Sequence, residues 1–364
     1  VFARGWVNPW GLAFDRYGQA FVTDGAGGEG INYVIPGGYY VTAADARRIF
    51  PGLNPGSPKF CGLEVTSGRH LPDDWQGNLL TNDFRGHRVC RFILKDDGAG
   101  FAAIEQPELI KSTHPAFRPI DVKMGPDGAI YIADWYNPII QHGEVDFRDP
   151  RRDVTHGRIW RVTAKGRPLV KKPKIEGATT AELLEALKQP EQWTKDMARK
   201  SLQGLVHKEE WNAKDELALS VKNQSGISPA ELDHLLLEYA WIQENNTDTL
   251  LRSSSPEIRS AAVRFFQKTP GILDPHPRVR MEAVRQLSQV PEPGSILQAL
   301  SILNKPMDRF LDYALWLTVR ELEPQWVLAF REGKLKFDDP KHLLFAVQAS
   351  GSPELVEPLL AYLQ

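Results

Sequence analysis

The chain has 364 residues, a quarter of them charged, and a formal net charge of −2. That balance leaves no basic excess for a nucleic acid to meet, and no apolar run reaches the roughly eighteen residues a membrane span needs. The length suits about two domains.

The first motif in chain order is NPWGLAFDRYGQAFVTDG, Asn8 to Gly25. It overlays without a gap on Arg118 to Trp135, with Pro9 on Pro119, Gly18 on Gly128 and Asp24 on Asp134. A third copy, CGLEVTSGRHLPDDWQGNLLTNDFRGHRVCRF, runs from Cys61 to Phe92. There Gly77 takes the turn position, Asp83 ends the second strand, and HRVCRF matches GRIWRV at the end of the later copy. Each unit reads as an alternating strand, a tight turn and a second strand rich in β-branched and aromatic residues, followed by a third. Self-similarity at roughly fifty residues, with about four short strands per unit, predicts a partial β-propeller over 1–163, with blades at about 1–60, 61–115 and 116–163. Propellers typically close with at least about four blades, so the chain is expected to be the C-terminal-side part of a longer protein.

Between these copies, GAGGEG (Gly25 to Gly30) fits the glycine spacing of a dinucleotide fingerprint. That fingerprint must open a helix, and INYVIPGG with Pro36 follows instead, so the stretch is read as a glycine loop. Cys61 and Cys90 fall on the first and third strands of one blade, ~9–10 Å apart at ~4.8 Å per strand. A disulfide needs Cα atoms within about 7 Å, so both are expected to be buried free thiols. KDDGAGF reads as a turn and QPELIKSTHPAFRP as a lead into the next blade.

After Val162 the pattern changes. Residues 164–177, AKGRPLVKKPKIEG, form a basic linker, and 178–364 reads as helical. TTAELLEALKQ begins with a Thr cap and carries an apolar stripe at helical spacing. SPEIRSAAVRFF and HPRVRMEAVRQL align from Pro256 and Pro277 onward, and QWTKDMARKSL is a weaker match. The pattern resembles HEAT-type repeats, which stack helix pairs into a solenoid, here an irregular one. Its arginines are read as hydrogen bonds between repeats.

Candidate chemistry follows from topology. The turn joining strands one and two lies at one end of each blade, so the connections from strand two to strand three share the opposite rim. Rim loops on a rigid scaffold are where binding residues are expected. The long loop Trp135 to His156 brings His142 and His156, each able to take a hydroxyl proton during hydride transfer. Arg148, Arg151 and Arg152, with Arg85 and His87 of the neighbouring blade, are candidates to hold an acidic cofactor. Asp146 and Asp149 are of the type that ligates Ca²⁺. The same Arg and Asp residues also suit a salt-bridge network that pins a long loop. Asp24, Asp83 and Asp134 recur at strand ends, which points to capping of loop backbone.

Taken together, GLAFD…VTDGAG, FCGLEV…GRHLPDDWQGNLLTNDFRGHRVCRF and GPDGAIYIADWYNPIIQH…RDPRRD…HGRIWRV, followed by HEAT-like helices, resemble the large propeller proteins known as membrane-bound dehydrogenases. Many of these carry a PVC-type haem-binding domain, and they are relatives of the glucose/sorbosone dehydrogenases. The resemblance covers Val1 to about Thr163 well and the helices more loosely. It implies a periplasmic or cell-envelope quinoprotein that oxidises a sugar or alcohol with pyrroloquinoline quinone (PQQ) and Ca²⁺. Electrons would pass to haem on a c-type cytochrome domain, a segment expected to lie outside these residues. A different class of reading stays open: a non-catalytic propeller that binds carbohydrate or protein through aromatic platforms, with Trp135, Tyr136, Tyr39 and Tyr40 as candidates. The helical arm would then be a scaffold and a possible protein-docking surface.

Overall fold

The computed structural model describes residues 2–25, 30–43, 46–54, 58–140, 145–208, 228–243, 248–266 and 270–362. It is a mixed β and α chain. Among these residues there are three antiparallel sheets. The first holds β1 (Pro9–Phe14), β2 (Ala20–Asp24) and β3 (Ile31–Tyr33) in sequence order. The second holds β4 (Phe60–Val65), β5 (Leu79–Asp83), β6 (Arg88–Asp97) and β7 (Gly100–Lys111), and the third β8 (Pro119–Met124), β9 (Ile130–Asp134) and β10 (Arg158–Val162).

The sequence repeat is a repeat of register. Each first strand opens opposite the aspartate that closes the second: Pro9 on Asp24, Phe60 on Asp83, Pro119 on Asp134. Each pairing then shifts register just past that first pair, so the three sheets share one irregularity. The sheets sit side by side through β1, β4 and β8. Thr23 donates its hydroxyl to the Cys61 carbonyl, and Lys123 Nζ donates to the Leu63 carbonyl at 2.8 Å. Leu71, Leu80 and Val89 pack against Val122, Ile130 and Ile132 between the second and third sheets. Cys61 and Cys90 are buried and free, on β4 and β6 as expected.

One strand departs from the sequence reading. The first part of the stretch taken as a lead into the next unit, 106–111, belongs to β7, a strand of 12 residues paired along β6. Pro107 hid it, since proline cannot donate to a ladder. β7 is an edge strand, where a missing donor costs little, and the β6–β7 register shifts nearby.

The helices are α1 (Thr180–Ala186), α2 (Gln192–His207), α3 (Pro229–Gln243), α4 (Pro256–Phe266), α5 (Pro277–Leu287), α6 (Ser295–Leu300), α7 (Arg309–Glu321), α8 (Glu323–Arg331), α9 (Pro340–Ser350) and α10 (Val356–Tyr362). Thr179 caps α1 in a reciprocal box with Glu182, as TTAE implies. Helices and sheets share one apolar core. Phe21, Tyr33 and Phe101 of the sheets lie in the same cluster as Met281, Phe310 and Tyr313 of the helices.

The helical arginines do more than join helices. Arg259 forks Asp274, and Arg264 meets Glu282 across α4 and α5. Arg264 also donates to the Gly18 carbonyl in the β1–β2 turn, and Arg285 to the Pro36 carbonyl at 3.0 Å. Arg278, 2% exposed, reaches the β6–β7 turn, donating to Ala99 O at 3.2 Å and Gly100 O at 2.9 Å. The linker is anchored too. His70 is fully buried, accepts from the Ala164 N–H at 2.9 Å and donates Nδ1–H to the Pro168 carbonyl at 2.9 Å.

Candidate functional site

The three strand-end aspartates set the rim. Asp24 accepts the Val7 and Asn8 N–H groups at 2.9 and 3.3 Å. Asp83 accepts the Gly86 N–H at 2.9 Å and Arg88 Nε at 3.2 Å. Asp134 accepts the N–H groups of Arg118 at 2.8 Å and Tyr136 at 2.9 Å, and the Trp160 indole at 3.0 Å. These are caps of loop backbone, as the recurrence implied.

Arg118 joins two of the rim loops. Its buried guanidinium donates to the Phe84 carbonyl at 2.9 Å on one side and to the Asn137 and Pro138 carbonyls at 2.9 and 3.2 Å on the other. It also donates to His87 Nε2 at 3.3 Å, while His87 Nδ1–H donates to the Phe117 carbonyl at 2.9 Å. Held by those partners on both ring nitrogens, His87 props the loop. Sequence reasoning missed Arg118. The only signal was its place just before Pro119, where the first unit carries Asn8 before Pro9.

In the long loop most charges answer one another. Arg151 forks Asp149 at 2.9 and 2.7 Å, and that pairing holds the Asp149 carboxyl down at about 2. Arg152 donates to the Asp146 and Val145 carbonyls at 3.0 and 2.9 Å. The Asp146 carboxylate takes the Arg148 N–H at 2.7 Å. The side chains of Arg85 and Arg148 have no ion-pair partner among the described residues. Among the described residues no group of three or more His, Cys, Asp or Glu could hold a metal ion.

His156 stands apart. Its Nδ1 lies 2.8 Å from Asp153, whose other oxygen accepts the Thr155 and His156 N–H groups at 2.9 Å each. Those backbone donors hold the Asp153 carboxyl at about 2. With the carboxylate on Nδ1, Nε2 is the ring nitrogen left without a hydrogen-bond partner among the described residues, on an imidazole whose side chain is 68% exposed. The ring edge meets Tyr136, which stacks on His114 at 5.7 Å and lies under the Arg158 guanidinium at 3.5 Å. Tyr136 and His87 both hold positive φ, 53° and 54°, conformations that non-glycine residues adopt only when their surroundings enforce them. Trp135 and Phe147 of the same loop are exposed, and the Arg152 guanidinium lies 5.4 Å from the Phe147 ring centre.

His142 lies outside the described residues, as do 26–29 of the glycine loop. The residues just after that loop form β3 and not a helix, as the rejected nucleotide reading required. Of the aromatic platforms expected, Tyr40 is not one. It is fully buried, stacks on Trp6 and accepts the Ile35 N–H at 2.8 Å, so it belongs to the core. The Tyr39 N–H donates to the Tyr313 hydroxyl at 2.8 Å.

A domain of unknown function, DUF7133, matches residues 56–166, the second and third sheets. Among curated proteins none matches the chain. Solved structures that resemble it include an oxidoreductase (glucose dehydrogenase) from Thermus thermophilus, 23% identical over 44% of this chain and 46% of that one, with a TM-score of 0.33. Another is the PQQ-bound aldose sugar dehydrogenase of Streptomyces coelicolor, 20% identical over 45% of this chain and 44% of its own, with a TM-score of 0.31. The chain spans under half the length of each.

Proposed function

We propose that the rim binds a sugar or other neutral polyol, on three blades of a β-propeller followed by an irregular HEAT-like arm. One observation carries this reading. The rim's acids and most of its arginines are engaged within their own loops, whereas Trp135 and Phe147 of the long loop stay exposed. Exposed aromatic faces on a loop that also carries hydrogen-bonding groups suit hydroxyl-bearing rings.

The Asp153–His156 pair favours a second reading, oxidation of the bound alcohol, in which His156 Nε2 takes the hydroxyl proton and Asp153 keeps the imidazole oriented. PQQ, when bound, supplies a two-electron acceptor, with a c-type cytochrome as the exit for electrons in the cell envelope. The described residues do not fit those groups well. Arg85, Arg148 and Arg158 are the rim cations without an ion-pair partner among them, and Asp146 and Asp149 already serve backbone N–H groups and Arg151. No step is therefore routed through a cofactor or Ca²⁺.

The test is calorimetric titration of the chain with a panel of monosaccharides, with dye reduction followed after adding PQQ with and without Ca²⁺. Sugar binding that weakens in His156→Ala and in Trp135→Ala supports the rim site. Ca²⁺-dependent turnover lost in Asp153→Asn moves the conclusion to the dehydrogenase. No sugar binding at all overturns both.

A further inference from the structure

At the strand ends opposite the rim, a cleft of about 1110 Å³ opens between the sheets and the helices. Its sheet wall comes from the closing ends of the first strands: Leu12 and Phe14 on β1, Glu64 on β4, Lys123 on β8. Its helix wall comes from α2, α3 and α4, through Arg199, Gln203, Trp241 and Phe265. The cleft borders no rim loop, since Asp15 and Gly18 of the β1–β2 turn lie along it.

Its surface divides in two. One side is apolar and open: Leu12, Phe14 and Phe265 are 53, 52 and 43% exposed, and Phe265 meets Trp241 edge-on at 5.5 Å. Leu12 and Phe14 stay open on β1, although Ala13 between them is buried. The other side is polar and nearly neutral in sum. Asp15, Glu64 and Asp196 face Lys123, Arg199 and Lys200, three acids against three bases. Several of its hydrogen-bonding atoms are already oriented. Gln192 donates to Asp196 at 2.9 Å and Gln203 to the Trp241 carbonyl at 3.0 Å, which turns both amide oxygens free as acceptors. Arg199 is fixed by Glu238 at 2.8 Å and lies 4.6 Å from the Trp241 ring centre. Burial raises Glu64 to about 7, and its two carboxyl oxygens accept the Val65 and Met124 N–H groups at 3.1 and 3.2 Å.

We infer that this cleft is a second carbohydrate site, taking a neutral oligosaccharide with one ring against Phe14 and Phe265 and its hydroxyls on the Gln203 and Glu64 side. The balanced lining gives neither an anion nor a cation an advantage. A hydroxyl, which donates and accepts at once, uses both kinds of partner there. Aromatic faces against the C–H face of a ring supply the apolar contact, and the size of the cleft exceeds that of a single-ring ligand site. The inference does not depend on the rim reading, because the two sites share no residue.

The test uses the whole chain and a panel of glucose, maltose, cellobiose and their longer oligomers, read by saturation-transfer NMR and calorimetry. An oligosaccharide is expected to bind more tightly than its monosaccharide. Phe265→Ala is expected to weaken it about tenfold, and Leu12→Trp, which fills the cleft from an exposed position, to abolish it. The comparison is made in His156→Ala, which removes the rim's own binding, so that only the cleft is read. Circular dichroism and the unfolding midpoint report that each variant is folded. A panel without any binder overturns the inference. So does binding that survives Leu12→Trp, and if it is lost instead in His156→Ala, the sugar sits on the rim alone.

Discussion

Replacing Arg278 with methionine tests whether helices and sheets are one folding unit. Arg278 projects from the first turn of α5 into the β6–β7 turn, where its guanidinium serves the Ala99 and Gly100 carbonyls and Asp96 at 2.6 Å, and lies 4.1 Å from the Phe101 ring centre. Methionine keeps most of the volume and removes every donor. The Asp96 side chain is 59% exposed, so the ion pair itself is screened and adds little. The loss comes from two buried carbonyls left without partners, each about 1–1.5 kcal/mol, and from about 0.5–1 kcal/mol of cation–π contact. The sum is about 3 kcal/mol. Urea unfolding followed by tryptophan fluorescence and by far-ultraviolet circular dichroism measures it. Asp96→Asn, as a control, is expected to cost about 0.5 kcal/mol. If Arg278→Met costs under about 1 kcal/mol, the turn carbonyls are satisfied by water and the bridge is not what holds α5 to the sheets.

Three further outcomes follow from particular residues. Burial lifts Glu64 to about 7 and Asp15 to about 6, so the folded chain keeps protons that the unfolded chain releases near 4.5 and 3.8. Stability therefore falls as pH rises from about 4.5 to 7, and Glu64→Gln flattens that slope in urea midpoints taken across the range while leaving the Asp15 part. Gly18 holds φ +76° with a would-be Cβ 2.6 Å from the Phe265 ring, so Gly18→Ala is expected to lower stability by about 1–3 kcal/mol. Adding Phe265→Ala recovers the steric part of that loss and not the backbone part, which chemical denaturation of the pair separates. Cys61 and Cys90 are buried, and burial raises both thiols, Cys90 to about 12. A thiol-reactive dye is expected to label neither in the native state at about pH 8 and both in denaturant.

Much of the sheet half was legible because a repeat carries register with it. Matching Pro9, Gly18 and Asp24 to Pro119, Gly128 and Asp134 also matched the bulge and the cap that those residues make. β7 escaped because Pro107 argues against a strand unless its edge position is known, and edge position is a tertiary fact. Tyr40 read as a surface platform in sequence, and the burial of His70 went unseen, since nothing local tells a buried tyrosine or histidine from an exposed one. Their partners, Trp6 and Ile35 for one, Ala164 and Pro168 for the other, decide it. The helical arginines show the same limit. The aligned pattern located them, but their acceptors are carbonyls far away in sequence. At the rim, sequence brought the right residue types together and could not say that Asp149 belongs to Arg151 and Asp153 to His156.

The Asp134 carboxylate ties Arg118, Tyr136 and Trp160, residues on both sides of the long loop, to a single point. The strands on either side are thereby insulated from whatever lies between Tyr136 and Arg158. Doubling the length of such an insert adds only about 0.6 kcal/mol of closure entropy. The loop is thus a replaceable cassette on a fixed clasp, where recognition can be rewritten, by selection or by design, without renegotiating the sheet beneath it.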